Sequence, residues 1–219
     1  MHNLNAIPLF CNLSPSQLDS LGAYAALRVV EKGEVILRSG EPADSSYVIM
    51  SGQVKVYMSD EADPTREVIL QTLGPGDFFG ELPMFDHEPR IASVAAMDQV
   101  HLHVLSYKAF HRAIEKSPDI ARCVMAVLAK RLRHADQKIG ALALTDISSR
   151  VSRTLLELAI MSNGRRVVGS PFTQQDLADM VGASREMVNR TLKDLEGEGY
   201  IEVQRKMITI LDDRLSASL

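Results

Sequence analysis

SPDIARCVMAVLAKRLRHADQKIGALAL, residues 117–144, is the one long segment whose apolar spacing predicts a partner as well as a fold. Ala121, Met125, Leu128, Leu132, Ala135, Ile139 and Leu142 follow one another in steps of 4, 3, 4, 3, 4 and 3. That is a heptad seam, narrower than the apolar face a helix shows when it packs only on its own domain. Ser117 is placed as an N-cap, and Pro118 suits the first helical turn, where a missing backbone N–H costs nothing. At ~1.5 Å per residue the helix spans about 40 Å, more than one face of a small domain needs. Part of the stripe is therefore expected to meet a second copy of itself in a parallel dimer, with Met125, Leu128, Leu132, Ala135, Ile139 and Leu142 at the interface.

The remaining totals narrow the class. A chain of 219 residues, 46% hydrophobic and 24% charged, has globular composition and length for one large or two ordinary domains. No apolar run approaches the ~20 residues that span a bilayer, and the first residues lack both the basic start and the apolar core of a signal peptide. A cytoplasmic location without a membrane partner is expected. Cys11 and Cys123 are the only cysteines, too few for a four-thiolate cluster, and no metal-ligand spacing is present. The net charge of −4 divides as 14 basic against 17 acidic residues through Leu144 and 10 against 11 beyond it. Gross charge thus points to no polyanion, and a nucleic acid would have to be met by a local patch. No Ser/His/Asp grouping or nucleotide-transfer motif supports an enzyme.

Before the long helix the pattern is β-rich. Leu13, Leu18, Leu21 and Ala25, with Ser14 or Ser16 as cap, give a short helical signal. From Leu27 to Val104 the period is two, with runs at 35–37, 47–50, 54–57, 67–70 and 100–104. Gly33, Gly40, Gly52, Gly74 and Gly76 punctuate them at corners, and 59–65 reads as an exposed hairpin tip. Many short antiparallel strands at this spacing predict a barrel or jelly roll.

Within it, 78–94 (FFGELPMFDHEPRIASV) places a glycine, a carboxylate and one turn of helix ahead of an arginine. A phosphate is held by helix-terminal amides and a guanidinium, and a ribose hydroxyl by a carboxylate. The segment resembles the phosphate-binding cassette of the cyclic-nucleotide domain in CRP/FNR regulators, Phe-x-Gly-Glu-Leu followed by Arg-x-Ala. The resemblance implies a ligand site at Gly80, Glu81, Leu82, Arg90, Ile91 and Ala92. Gly80 and the amides of Leu82 and its neighbours would approach phosphate, Glu81 the 2′-hydroxyl, and Arg90 the phosphate charge. Ile91 stands where cAMP-responsive members carry a phosphate-binding serine. Ala135 and Asp136 stand where those members carry a Thr-Ser pair on adenine, and a carboxylate at Asp136 suits the paired donors of a guanine edge. The effector implied is cAMP first, with cGMP, cyclic di-GMP or no ligand as alternatives, and no covalent cofactor.

After the seam, Thr145 or Asp146 is placed to cap a helix with Ile147, Val151, Leu155, Leu158 and Ala159 on its buried side. Ser162-Asn163-Gly164 is expected to end it, and Val167 and Val168 suggest a short strand. From Gln174 the run QQDLADMVGASREMVNRTLK puts Ala178 fifth, Gly182 ninth and Val188 fifteenth. A helix-turn-helix needs this spacing: a small residue where two helices cross, glycine for positive φ in the turn, and a β-branched residue under the second helix. Thr173 and Ser184 are caps. Arg185, Glu186, Asn189, Arg190 and Lys193 lie on or near one exposed side, with Met187, Val188, Thr191 and Leu192 inward. Residues 201–210 predict a hairpin wing.

The resemblance to CRP/FNR regulators thus extends over roughly residues 8 to 212. It implies Arg185 and Arg190 on guanine, Glu186 on cytosine N4, and Ser184 capping the reading helix, in a palindromic duplex with TGTGA-like half-sites. Thr173, Gln174 and Lys193 would touch phosphate. The expected architecture is α+β: an N-terminal β jelly-roll barrel domain (1–116), a long dimerisation helix (117–144) and a C-terminal winged helix-turn-helix (145–219). A homodimeric, ligand-controlled transcription regulator follows, with double-stranded DNA and RNA polymerase as partners.

Overall fold

The computed structural model describes residues 25–169, 171–204 and 207–212. The expected helical positions Leu13, Leu18 and Leu21, together with Cys11, Arg205 and Lys206, lie outside them, whereas Ala25, expected on the same helical face, begins a strand. The chain divides into two units, residues 1–63 with 70–134 and residues 64–69 with 135–219.

The N-terminal β-rich part of the chain forms a jelly roll of two four-stranded antiparallel sheets. One has the order β1 (Ala25–Val30), β8 (Val100–Ser106), β3 (Ser45–Ser51), β6 (Phe78–Phe79). The other runs β2 (Val35–Leu37), β7 (Ser93–Ala96), β4 (Val54–Ser59), β5 (Glu67–Leu73). Val30, Ile49, Val54, Val100 and Leu102 close the barrel interior, where inward residues of both sheets interdigitate. Four of the five corner glycines have positive φ; Gly74 does not, and its N–H instead donates to Asp77 Oδ2 at 2.9 Å.

Four elements here are unread in the sequence pattern, the first being β1, whose Ala25 is expected on a helical face. β6 and β7 are too short to show a period, and α2 (Tyr107–Lys116) follows β8 without a break. Ser106 starts α2 by accepting from the Ala109 N–H, and Ser117 closes it with its N–H on Ala113 O. The one-turn α1 (Leu82–Asp86) lies ahead of Arg90 as expected. The seam helix α3 is Pro118–Leu144. Its first turns bury Ile120 and Val124 against Val48, Phe78, Met84, Leu105 and Phe110, which joins helix and barrel in one core.

In the second unit Asp146 caps α4 (Ile147–Leu158), accepting from the Ser149 N–H at 2.8 Å. Here one expectation fails. Asn163-Gly164 does not end that helix but turns a hairpin between β9 (Ile160–Ser162) and β10 (Arg165–Val168), with both turn residues at positive φ. Asn-Gly is the preferred pair for such a turn, because both central residues must take φ > 0. Helices α5 (Gln174–Val181) and α6 (Arg185–Gly197) follow, then β11 (Ile201–Gln204) and β12 (Met207–Ile210), in a sheet ordered β11-β12-β10-β9. Val151, Leu155, Leu177, Ala178, Val188, Leu192 and Ile201 form its core.

Candidate ligand pocket and nucleic-acid interface

Gly80 sets the geometry of the cassette. Its φ is +77°, and a Cβ there would lie 2.7 Å from Arg90 Nη1 and 3.1 Å from Leu37 Cδ1, so both conformation and space require glycine. Arg90 is 6% exposed, and its guanidinium reaches two carbonyls, Nη1 to Gly80 O at 3.2 Å and Nη2 to Ser45 O at 3.0 Å. The Tyr107 hydroxyl donates to the same Gly80 carbonyl at 2.8 Å. Ser39 Oγ donates to Ile91 O at 3.2 Å and holds the backbone that carries Arg90.

Glu81 is 2% exposed and meets a cation that the sequence reading did not assign. Arg131, from α3, donates to Glu81 Oε1 at 2.7 Å and to the Phe78 carbonyl, with its guanidinium carbon 4.9 Å from the Phe78 ring centre. Burial pushes the Glu81 carboxyl above the ordinary carboxylate range, while Arg131 and, more weakly, Arg90 pull it back. The cluster therefore holds two guanidinium groups around one carboxylate, with a phenol beside them. That donor set fits an anionic ligand that also carries hydroxyls: the cations take phosphate and the carboxylate accepts from a hydroxyl.

The remaining sequence-assigned ligand positions are spread differently. Ala92 is buried, but Ile91 is 64% exposed and Leu82 is also exposed. Only part of the expected amide row is on offer, because Pro83 has no N–H and that of Met84 is taken by Glu81 O at 3.0 Å. Ala135 and Asp136 are exposed on α3. A signal for Arg131 existed: it stands four residues before Ala135 and so shares its helix face.

The seam is largely uncovered within one chain. Met125 is 60%, Leu132 64% and Ile139 65% exposed; Ala135 and Leu142 are exposed too, while Ala121 and Leu128 are partly covered.

In the second unit the caps are in place. Thr173 and Asp176 form a reciprocal capping box on α5, so the Thr173 hydroxyl is already engaged; Gln174 next to it is exposed. Gly182 ends α5 at φ +69°, and Ser184 starts α6 by accepting from the Met187 N–H at 3.2 Å. Ala178 and Val188 are fully buried at the crossing. Arg185, Glu186, Asn189, Arg190 and Lys193 line one open concavity of about 440 Å³, with Glu186 and Arg190 3.6 Å apart as an exposed ion pair. Met187, expected inward, is exposed at 44%, because it sits in the first turn of α6, ahead of the buried Val188.

Two stretches of the chain match known domain families. Residues 27–117 match the model of the cyclic nucleotide-binding domain, and 149–215 that of the Crp-like helix-turn-helix domain. A CRP-like cAMP-activated global transcriptional regulator of Mycobacterium tuberculosis is 34% identical over 208 residues, 93% of this chain and 92% of that protein. The chain belongs to the CRP/FNR family of transcription regulators. Another member, the cAMP-activated global transcriptional regulator CRP of Escherichia coli, is 36% identical over 82% of this chain and 86% of its own. Among solved structures, the c-di-GMP responsive global regulator CLP of Xanthomonas campestris superposes with a TM-score of 0.81 at 28% identity, over 91% of this chain and all of that one. The match to the Crp-like helix-turn-helix domain spans α5 and α6. Among the described residues no helix is long and apolar enough to cross a membrane.

Proposed function

We propose that this chain is a homodimeric, sequence-specific DNA-binding regulator whose operator affinity is set by a cyclic nucleotide. The observation that carries the reading is the Arg131–Glu81 pair, 2.7 Å long and buried at the carboxylate end. Arg131 lies between the seam residues Leu128 and Leu132, so one side chain joins the cassette to the helix that carries the exposed stripe. A ligand phosphate at Arg90 and Arg131 competes with Glu81 for the guanidinium, and a ribose hydroxyl gives Glu81 a new partner. Ligand then alters how α3 sits on the barrel and how two seams pack. The spacing of the two reader helices follows, and with it the fit to half-sites about one helical turn, ~34 Å, apart. The expected site is palindromic with TGTGA-like half-sites, and RNA polymerase is the downstream partner.

cAMP is the first effector, supported by the two cAMP-activated relatives. A second reading, cGMP or cyclic di-GMP, is favoured by Asp136, whose carboxylate matches guanine donors, and by the c-di-GMP responsive neighbour. Titration calorimetry with cAMP, cGMP and cyclic di-GMP, with operator affinity measured alongside each, tests the proposal. Binding of one nucleotide with a matching gain in operator affinity is expected. Equal operator affinity with and without every nucleotide would overturn it.

A further inference from the structure

Asn189 occupies the middle of the reader concavity, four residues after Arg185, four before Lys193 and next to Arg190. Its neighbours there are charged and exposed, whereas Asn189 is half-buried and its Oδ1 is shut off from solvent with no hydrogen-bond partner. An unpartnered buried amide oxygen costs free energy in the free protein, and asparagine is a poorer helix former than alanine. Folding alone therefore gives no reason for asparagine at this position. The unpaired oxygen argues instead for a partner supplied on binding.

We propose that Asn189 reads an adenine, its carboxamide accepting from the N6 amino group and donating to N7, in the base pair between those contacted by Arg185 and Arg190. The proposal rests on the reading of α6 as the recognition helix. Two arguments fix its content. A carboxamide presents one acceptor beside one donor, and in the major groove only adenine offers the complementary pair on a single base; guanine offers two acceptors, which suit a guanidinium. Arg185 and Arg190 are five residues apart, about 7.5 Å along the helix, or roughly two base-pair steps of ~3.4 Å. Asn189 falls inside that interval. Turning the edge of the carboxamide toward the groove presents Oδ1 and Nδ2 together, so the contact gives the unpaired oxygen a donor. The Glu186–Arg190 ion pair does not compete, since neither group bonds the amide.

The test is the affinity of the full-length protein, at fixed salt, for a library of palindromic duplexes varied at each half-site position. Wild type, Asn189→Ala and Asn189→Asp are compared. Wild type is expected to prefer one A·T orientation, flanked by two guanine-specific positions, by about 5- to 150-fold, the range for a good bidentate contact. Asn189→Ala should lose that preference and keep the flanking ones. Asn189→Asp should move it toward cytosine, because a carboxylate accepts from N4 and is repelled by N7. Asn189→Ala that weakens every sequence alike, or leaves the preference intact, overturns the proposal. Flanking guanines without an adenine between them overturn it as well, while a wild-type protein that selects no sequence overturns the reader assignment of α6 itself.

Discussion

Replacing Arg131 by leucine isolates the contact on which the sensor reading depends. The variant removes the charge partner of a carboxylate whose side chain is 3% exposed, together with the hydrogen bond to the Phe78 carbonyl. Removing one member of a buried pair costs about 3–5 kcal/mol. Since the Arg131 side chain keeps 20% exposure, solvent already screens it in part, and the low end, about 3 kcal/mol, is expected near pH 8. The pH dependence identifies the cause. Burial already raises the Glu81 pKa in the folded state, and loss of Arg131 raises it further. Between the unfolded and folded values the folded protein binds more protons, so stability falls as pH rises through the folded pKa. Lowering the pH through this window should therefore recover about 1.4 kcal/mol per unit. Urea unfolding of wild type, Arg131→Leu and the double variant Glu81→Gln/Arg131→Leu near pH 5 and pH 8 measures this. The single variant should lose most of its deficit at the lower pH, and the double variant should be less destabilised at pH 8 and nearly flat. A deficit of the same size at both pH values would refute the reasoning, because a buried unpaired carboxylate cannot cost the same when protonated.

Three further outcomes follow from other parts of the chain. Leu132→Glu/Ile139→Glu alters side chains exposed within one chain, so the protomer should still fold, whereas the proposed dimer would lose four apolar side chains worth about 1.5–3 kcal/mol each if fully buried; monomers in sedimentation velocity and loss of operator binding are expected, and a persistent dimer would misplace the seam. Gly182→Ala forces a side chain into φ +69° with its Cβ 3.1 Å from Leu142 Cδ2, which should destabilise the second unit by roughly 1–2 kcal/mol in thermal unfolding. The Asp146 carboxyl is held below the ordinary aspartate range, first by the Ser149 backbone N–H and then by the Ser149 hydroxyl, so its contribution is complete above the unfolded pKa and is lost as pH falls through the folded one. Asp146→Asn, which keeps an acceptor without titrating, should flatten the acid limb of the stability curve.

The C-terminal half shows how far local chemistry reaches. Thr173, Gly182 and Ser184 declare two helix starts and the turn between them, because caps and positive φ are properties of three or four consecutive residues. The seam of α3 was legible for the same reason, since a 4-3 spacing needs only the helical repeat. Asn163-Gly164 is equally local but reads as a helix end: nothing in those two residues says whether the preceding chain is helix or strand, and the pairing of Ile160–Ser162 with Arg165–Val168 decides. The barrel is readable where its strands show a period, silent at β6 and β7, and misleading at the start of β1, where Ala25 shares a helical spacing with Leu18 and Leu21.

The ligand cluster marks the other limit. Residues 78–94 state by themselves that a glycine, a carboxylate and an arginine sit close along the chain, and that much the sequence determined. It could not state that Glu81 is buried against Arg131, 50 residues away, or that Arg90 rests on the carbonyls of Gly80 and Ser45. Such partners are chosen by how the barrel and the first turns of α3 share one core around Phe78, Phe110, Ile120 and Val124, and the cost of leaving a buried charge unpaired selects among the residues which that packing brings within reach. Periodicity gives the face of a helix, and only tertiary packing gives what that face meets.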